Sequence, residues 1–320
     1  MLYNFFYPNY IKEYTCVSVL FSFIVTCIAI TLCKEALPKD GGRAFAVNGK
    51  LSAGKPRGAG IIFTLTFILS AVLFIPLKSE LTIYLILTLA AMLSGFFDDS
   101  AQTPWGELKK GVIDLVIAIM VAVTYLNFNS NTIMLPFIDE TVTIPPMFFG
   151  FLVVILMWAS INVTNCTDGV DGLCGTLSCI TLATIFGLYS YYDSEPFIRH
   201  TILLLIVSIL GYLWLNASPS KLLMGDAGSR AIGLFIAIAV LKTGNPLFYI
   251  PAAIVIIIDG GLGLLKVSLL RFFKIRILKN IRTPIHDHVR KNKGWSDTQV
   301  VLRFAIIQTV ISASILYALH

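Results

Sequence analysis

Two adjacent carboxylates, Asp98 and Asp99, close an apolar run as Gly95-Phe96-Phe97-Asp98-Asp99. Neighbouring acids at such a boundary are costly unless they meet a cation, so the pair reads as a metal site or a place where a phosphate proton is handled. A solvated helix end is the plainer alternative. Lys109 and Lys110 follow shortly after. They could hold anionic phosphates, or serve only as positive anchors beside a membrane.

The densest polar stretch is Asn162-Val163-Thr164-Asn165-Cys166-Thr167-Asp168-Gly169-Val170-Asp171-Gly172. Asn162, Asn165, Asp168 and Asp171 offer directional hydrogen bonds to a base or sugar, and the glycines let backbone come close. An Asx-rich turn would explain the glycines but not Asn162, which lies inside an apolar run. Further on, Met224-Gly225-Asp226-Ala227-Gly228-Ser229 sets a carboxylate between glycines at a predicted helix start. Asp226 there can face Mg²⁺ while helix N–H groups favour a phosphate, or the turn is a cap without ligand. Thr283-Pro284-Ile285-His286-Asp287-His288 holds two of the four histidines, two residues apart, in a basic segment. His286 and His288 could bind metal, contact phosphate or move protons, or be incidental to a surface loop.

What must position these groups is a membrane scaffold. The chain has 320 residues, 57% hydrophobic and 13% charged, with a mean hydropathy of +0.83; a soluble domain carries far more charge. Charge-poor runs cover 15–33, 59–77, 81–97, 115–128, 147–163, 173–192, 201–215, 231–241, 247–258 and 304–319. A spanning helix needs about 20 apolar residues, so the eighth and ninth runs are short, but together the runs predict an all-α polytopic protein of about ten transmembrane helices. No repeat or linker divides it, and residues 1–320 read as a single transmembrane domain. The start lacks a basic region followed by a small-residue cleavage site, so the first run is expected to be a retained helix. The six cysteines show no metal-type spacing and read as packing residues.

Lys and Arg gather on the cytoplasmic side of membrane proteins. Loops after the odd-numbered runs hold 18 of the 24 basic residues, Arg43, Lys50 and Lys55 among them, against 4 in the alternate loops. The odd loops are therefore expected to be cytoplasmic and both termini outside. This topology also accounts for the net charge of +6, and no nucleic-acid partner is expected. Every polar cluster above then falls on one cytoplasmic face. Carboxylates, basic residues and a lipid-embedded frame suit phosphoryl transfer between a soluble anionic donor and a lipid acceptor, where catalysis is mostly positioning and charge neutralisation. An ion-coupled transporter would instead place its acids near the bilayer midplane within paired repeats.

These motifs resemble the polyprenyl-phosphate N-acetylhexosamine-1-phosphate transferases over nearly the whole chain. The likeness rests on Asp98-Asp99, the Asn162 to Gly172 stretch, Gly225 to Ser229, Pro284 to His288, and Gly294-Trp295-Ser296-Asp297-Thr298-Gln299-Val300-Val301-Leu302-Arg303-Phe304. The last of these points to the branch that handles phospho-MurNAc-pentapeptide. The resemblance implies a homodimer in the bacterial inner (cytoplasmic) membrane, with a cytoplasmic site that moves phospho-MurNAc-pentapeptide from UDP-MurNAc-pentapeptide to undecaprenyl phosphate, giving lipid I and UMP. It implies that Asp226 ligates Mg²⁺, that Asp98 and Asp99 handle the lipid phosphate, and that Asn165 and Asp168 help hold the uridine. Lys55, in Lys55-Pro56-Arg57-Gly58-Ala59-Gly60, would border the nucleotide.

The chain departs from the family pattern near the expected donor. His286-Asp287-His288 stands for a triple histidine, and Leu223 stands where an aromatic residue is usual. Asp259 and Lys266 replace an expected Glu and Gln; seven residues apart on a helix they share a face, and Lys266 is expected to reach the site. A related transferase using UDP-GlcNAc or another UDP-sugar is therefore the second reading, and an inactive scaffold the third.

Overall fold

In a computed structural model, described for residues 2, 11–42, 52–138, 140–191 and 196–319, the apolar runs lie in helices. They are α1 (Ile11–Cys33), α2 (Gly60–Phe74), α3 (Ser79–Asp99), α4 (Glu107–Phe128), α5 (Pro146–Thr167), α6 (Leu173–Tyr191), α7 (Pro196–Asn216) and α8 (Gly225–Leu241). The ninth run is broken into α9 (Tyr249–Ala252), α10 (Ile254–Ile256) and a π-helical turn over Ile257–Gly261 that leads into α11 (Leu262–Phe273). Then come α12 (Ile285–Lys293) and α13 (Asp297–Leu319). A short antiparallel hairpin, β1 (Thr132–Met134) with β2 (Thr141–Thr143), pairs Ile133 with Val142. The protein is an all-α polytopic membrane protein.

Among the described residues, seven helices are long and apolar enough to cross a membrane, and an eighth if the pair bent by 69° after Ala252 is one span. The expected count of ten turns on α2 and α8, which have 15 and 17 residues against the roughly 20 that an isolated span requires. Every residue of α8 except Asp226 is buried. An apolar helix enclosed on all sides belongs to the interior of a bundle. One of its faces, with Phe235, Ile236 and Val240, packs into a core shared with α2, α6 and α7. Another, with Leu234, Ala237, Ile238 and Leu241, joins α3, α4 and α5. The end of the bundle where α3 and α5 finish and α4 and α8 begin is the polar one, while the hairpin follows the other end of α4. Arg43 and Lys50, counted above on the basic side, lie outside the described residues, as do residues 3–10.

Candidate active site

The site is built around the start of α8. Gly225 has a φ of +72°, and a Cβ on it would meet the Asp99 carboxylate, so both backbone and space call for glycine. Asp99, at the end of α3, accepts the backbone N–H of Asp226 at 3.1 Å and of Ala227 at 3.0 Å. One helix thereby supplies the anionic cap of another, where the N–H groups are unsatisfied and the helix dipole favours negative charge. Gly95, one turn earlier on α3, makes the approach possible, because a Cβ there would run into the backbone of Asp226 and Ala227.

Two cations hold four acids together. The Arg57 Nε donates to Asp99 at 2.8 Å, its Nη1 to Asp40 at 3.2 Å and its Nη2 to Asp226 at 3.5 Å. Lys110 Nζ, from the first turn of α4, lies 2.5 Å from Asp98 and 3.3 Å from Asp226. Asp98 also accepts the backbone N–H of Trp105 at 2.7 Å. Burial disfavours the Arg57 charge, but the carboxylates of Asp99, Asp226 and Asp40 more than offset this, so its pKa stands above the ordinary value. The Asp99 and Asp40 side chains are 0% and 1% exposed, against 15% for Asp226, 21% for Lys110 and 25% for Arg57. Asp226, Lys110 and Arg57 therefore form the accessible face. Four carboxylates meet two cations, a surplus of negative charge that suits a further cation.

Around this centre the structure gathers most of the other predicted residues. Asn165, near the end of α5, donates to the Ser229 hydroxyl at 3.0 Å in the first turn of α8. Asn162, one turn earlier, donates to the Trp158 carbonyl at 2.8 Å. Lys55 lies 3.5 Å from Asp171 and donates to the Ser220 hydroxyl at 2.9 Å, while Asp171 accepts the Ser220 N–H at 2.9 Å. Asp168 follows α5, with its N–H on the Asn165 carbonyl at 3.2 Å. Beside it, Gly169 packs on the His286 imidazole so closely that a Cβ would collide with Nε2. Asp259, in the π-helical turn, accepts the His286 N–H at 2.7 Å and contacts Nδ1 at 2.8 Å. His286 thus links the ninth run to the Asp168 loop.

Three predicted residues stand apart from the acids. Lys109 is exposed, with Nζ 3.3 Å from the centroid of the Trp105 ring. Lys266 donates to the carbonyls of Leu278 and Ile281 at 3.1 and 2.8 Å, which folds the basic segment back on α11. Asp259 turns instead to His286, so the two residues expected to share a helix face have different partners. His288 Nδ1 accepts the Arg282 N–H at 3.3 Å.

Sequence reasoning passed over Arg57, Asp40 and the pair Asp114–Arg230, an ion contact between α4 and α8 one turn below Asp226. Arg230 precedes the eighth apolar run, yet its position four residues after Asp226 in a helix puts it on the same face, pointing inward.

Hard oxygen ligands beside paired cations, at the end of a membrane bundle, can hold a polyanion and a divalent metal together. The glycosyl transferase family 4 matches residues 81–244, which include Asp98, Asp99, Lys110, Asp168 and Asp226. The chain is also similar to curated proteins named phospho-N-acetylmuramoyl-pentapeptide-transferase. That of Treponema pallidum (strain Nichols) is 42% identical, over 88% of this chain and 82% of the relative. That of Bartonella quintana is 31% identical over 81% and 78%, and that of Staphylococcus epidermidis (strain ATCC 12228) 27% over 91% and 94%. By both likenesses the chain belongs to glycosyl transferase family 4, among its phospho-N-acetylmuramoyl-pentapeptide-transferases.

Proposed function

We propose that this protein transfers phospho-MurNAc-pentapeptide from UDP-MurNAc-pentapeptide to undecaprenyl phosphate, producing lipid I and UMP for peptidoglycan synthesis. The observation that supports it most is the convergence of Asp98, Asp99 and Asp226 with Arg57 and Lys110 on the start of α8. An oxygen of the lipid phosphate attacks the sugar-linked phosphorus of the donor. The bond to the bridging oxygen breaks, and UMP leaves with the electron pair. Lys110, steered by Asp98, is placed to neutralise the transferring group. Asp99 keeps the start of α8, and with it Asp226, in position.

Mg²⁺ is the cofactor we assign to Asp226. Mg²⁺ keeps several waters and is usually bound through one or two carboxylates plus substrate phosphates. Asp226 suits that mode, since its contacts to Lys110 and Arg57, at 3.3 and 3.5 Å, are the longest of the ion cluster and leave it the most open of the acids. Bound there, the ion would offset the charge of the diphosphate and of the departing UMP. Lys55, Asn165, Asp168 and Asp171 are assigned to the nucleotide side, and His286, set by Asp259, to the adjoining sugar phosphate. The segregation of Lys and Arg supports a cytoplasmic site in the inner membrane with both termini outside, and a homodimer is part of the proposal.

The test is transfer from radiolabelled UDP-MurNAc-pentapeptide to undecaprenyl phosphate by purified protein, with and without Mg²⁺, beside parallel UDP-GlcNAc reactions. Metal-dependent lipid product with UMP release from the MurNAc donor is expected. Product from UDP-GlcNAc alone would move the protein to the neighbouring branch.

A further inference from the structure

Arg57 is not needed to place its own segment. The backbone there is pinned by Arg57 N–H to Pro38 O at 2.8 Å, Leu223 N–H to Pro56 O at 2.8 Å, Ala59 N–H to Leu223 O at 3.0 Å and Gly60 N–H to Met224 O at 3.0 Å. The side chain is therefore free to do something else. Its guanidinium is held unevenly: Nε has a short bond to a fully buried Asp99, whereas Nη2 reaches Asp226 only at 3.5 Å. A guanidinium carries five N–H donors in a planar fork that matches phosphate oxygens two at a time. Three are engaged here, the weakest on the accessible side, and the side chain is 25% exposed.

We propose that Arg57 is a phosphate-binding residue: anchored by Asp99 and Asp40, its guanidinium releases Asp226 to take the donor's diphosphate, and so opens that carboxylate to a divalent cation. The inference rests on the transferase reading of the site. In the free protein Arg57 serves as the resident counter-ion of Asp226. A cation arriving with a diphosphate exchanges partners with it, carboxylate to metal and guanidinium to phosphate, and no charge is left uncompensated at any stage. A residue that merely tied the Asp40 segment to α3 would not prefer phosphate and would not compete with a metal.

The experiment uses the full chain purified in detergent. Binding of UDP and of uridine is measured without divalent cation, and binding of Mn²⁺ by paramagnetic resonance without nucleotide, for the parent and for Arg57→Gln. We expect the variant to lose about tenfold or more in UDP affinity and less than about twofold for uridine, which has no phosphate. Mn²⁺ binding should tighten by about threefold or more, because a competing positive charge has gone. UDP affinity within twofold of the parent, or weaker Mn²⁺ binding, would overturn the inference. Should Arg57→Gln not fold, Arg57→Lys keeps the charge but not the fork, and must still weaken UDP more than uridine. A parent protein that binds neither UDP nor Mn²⁺ would overturn the transferase reading and this inference together.

Discussion

The carboxylate of Asp99 accepts the backbone N–H groups of Asp226 and Ala227, so a residue that ends one helix fixes where the next functional acid stands. Of the Asp98-Asp99 pair, the second member thus works through position. Asp99→Asn keeps a single acceptor and turns an N–H₂ group toward Arg57. We expect a loss of about 1–3 kcal/mol in stability from the damaged cap and the broken ion contact, read as a lower thermal midpoint in detergent, and at least a tenfold drop in turnover because Asp226 is no longer held. An unchanged melting curve would refute the capping role.

Asp226→Asn should behave differently. The ion contacts of the Asp226 side chain, to Lys110 and Arg57, are long, so its amide should fold normally, with an unchanged thermal midpoint. Turnover should fall by at least about a hundredfold, since charge stabilisation at the reacting phosphates is the larger part of such catalysis. Mn²⁺ binding should be lost in parallel. Near-parental activity in a well-folded variant would remove Asp226 as the metal ligand.

Long apolar runs announced the bundle because lipid leaves helices few alternatives, and an Asp pair or a Gly-Asp-Ala-Gly turn at a run's end announced the site. Pairings between distant segments were not visible in that way. Nothing local to Arg57 tells that Asp99 and Asp226 lie beside it, and only the packing of α3 against α8, allowed by Gly95, brings them together. Local phase misled as well. The even helix assumed between Asp259 and Lys266 gives way to a π-helical turn over Ile257–Gly261, and the two side chains go to different partners. The shortness of α8 was legible, but its reason, complete enclosure by other helices, was not.

Lys109 and Lys110 are neighbours in sequence and about 100° apart around α4, so they should differ in function. Lys110 faces Asp98 and Asp226 with 21% of its side chain exposed. Lys109 sits over the Trp105 ring on the outside. Lys110→Met should reduce turnover by about a hundredfold and raise the Mg²⁺ concentration response only slightly, whereas Lys109→Met should stay within about threefold of the parent, the worth of an exposed cation–π contact. Equal losses in steady-state assays of the two variants would mean that the lysine register assigned to the site is wrong.

The ion pair of Arg230 with Asp114 is buried between α8 and α4, its side chains 5% and 1% exposed. Arg230 Nε and Asp114 Oδ2 have no hydrogen-bond partner. Such a pair is poor evidence of net stabilisation, because two charges have been taken out of water to make it. Breaking it is another matter: Arg230→Met or Asp114→Val alone strands a charge beside the bundle core, and each should cost about 3–5 kcal/mol. The double variant removes both charges and should recover most of that loss, ending within about 2 kcal/mol of the parent. Thermal unfolding of the four proteins in one detergent gives the coupling energy directly. If the single variants melt with the parent, the pair is solvated in the folded protein. If instead the double variant is stable but slow, Arg230 is needed one turn beneath Asp226 for its charge, and the buried pair serves the site above it rather than the fold around it.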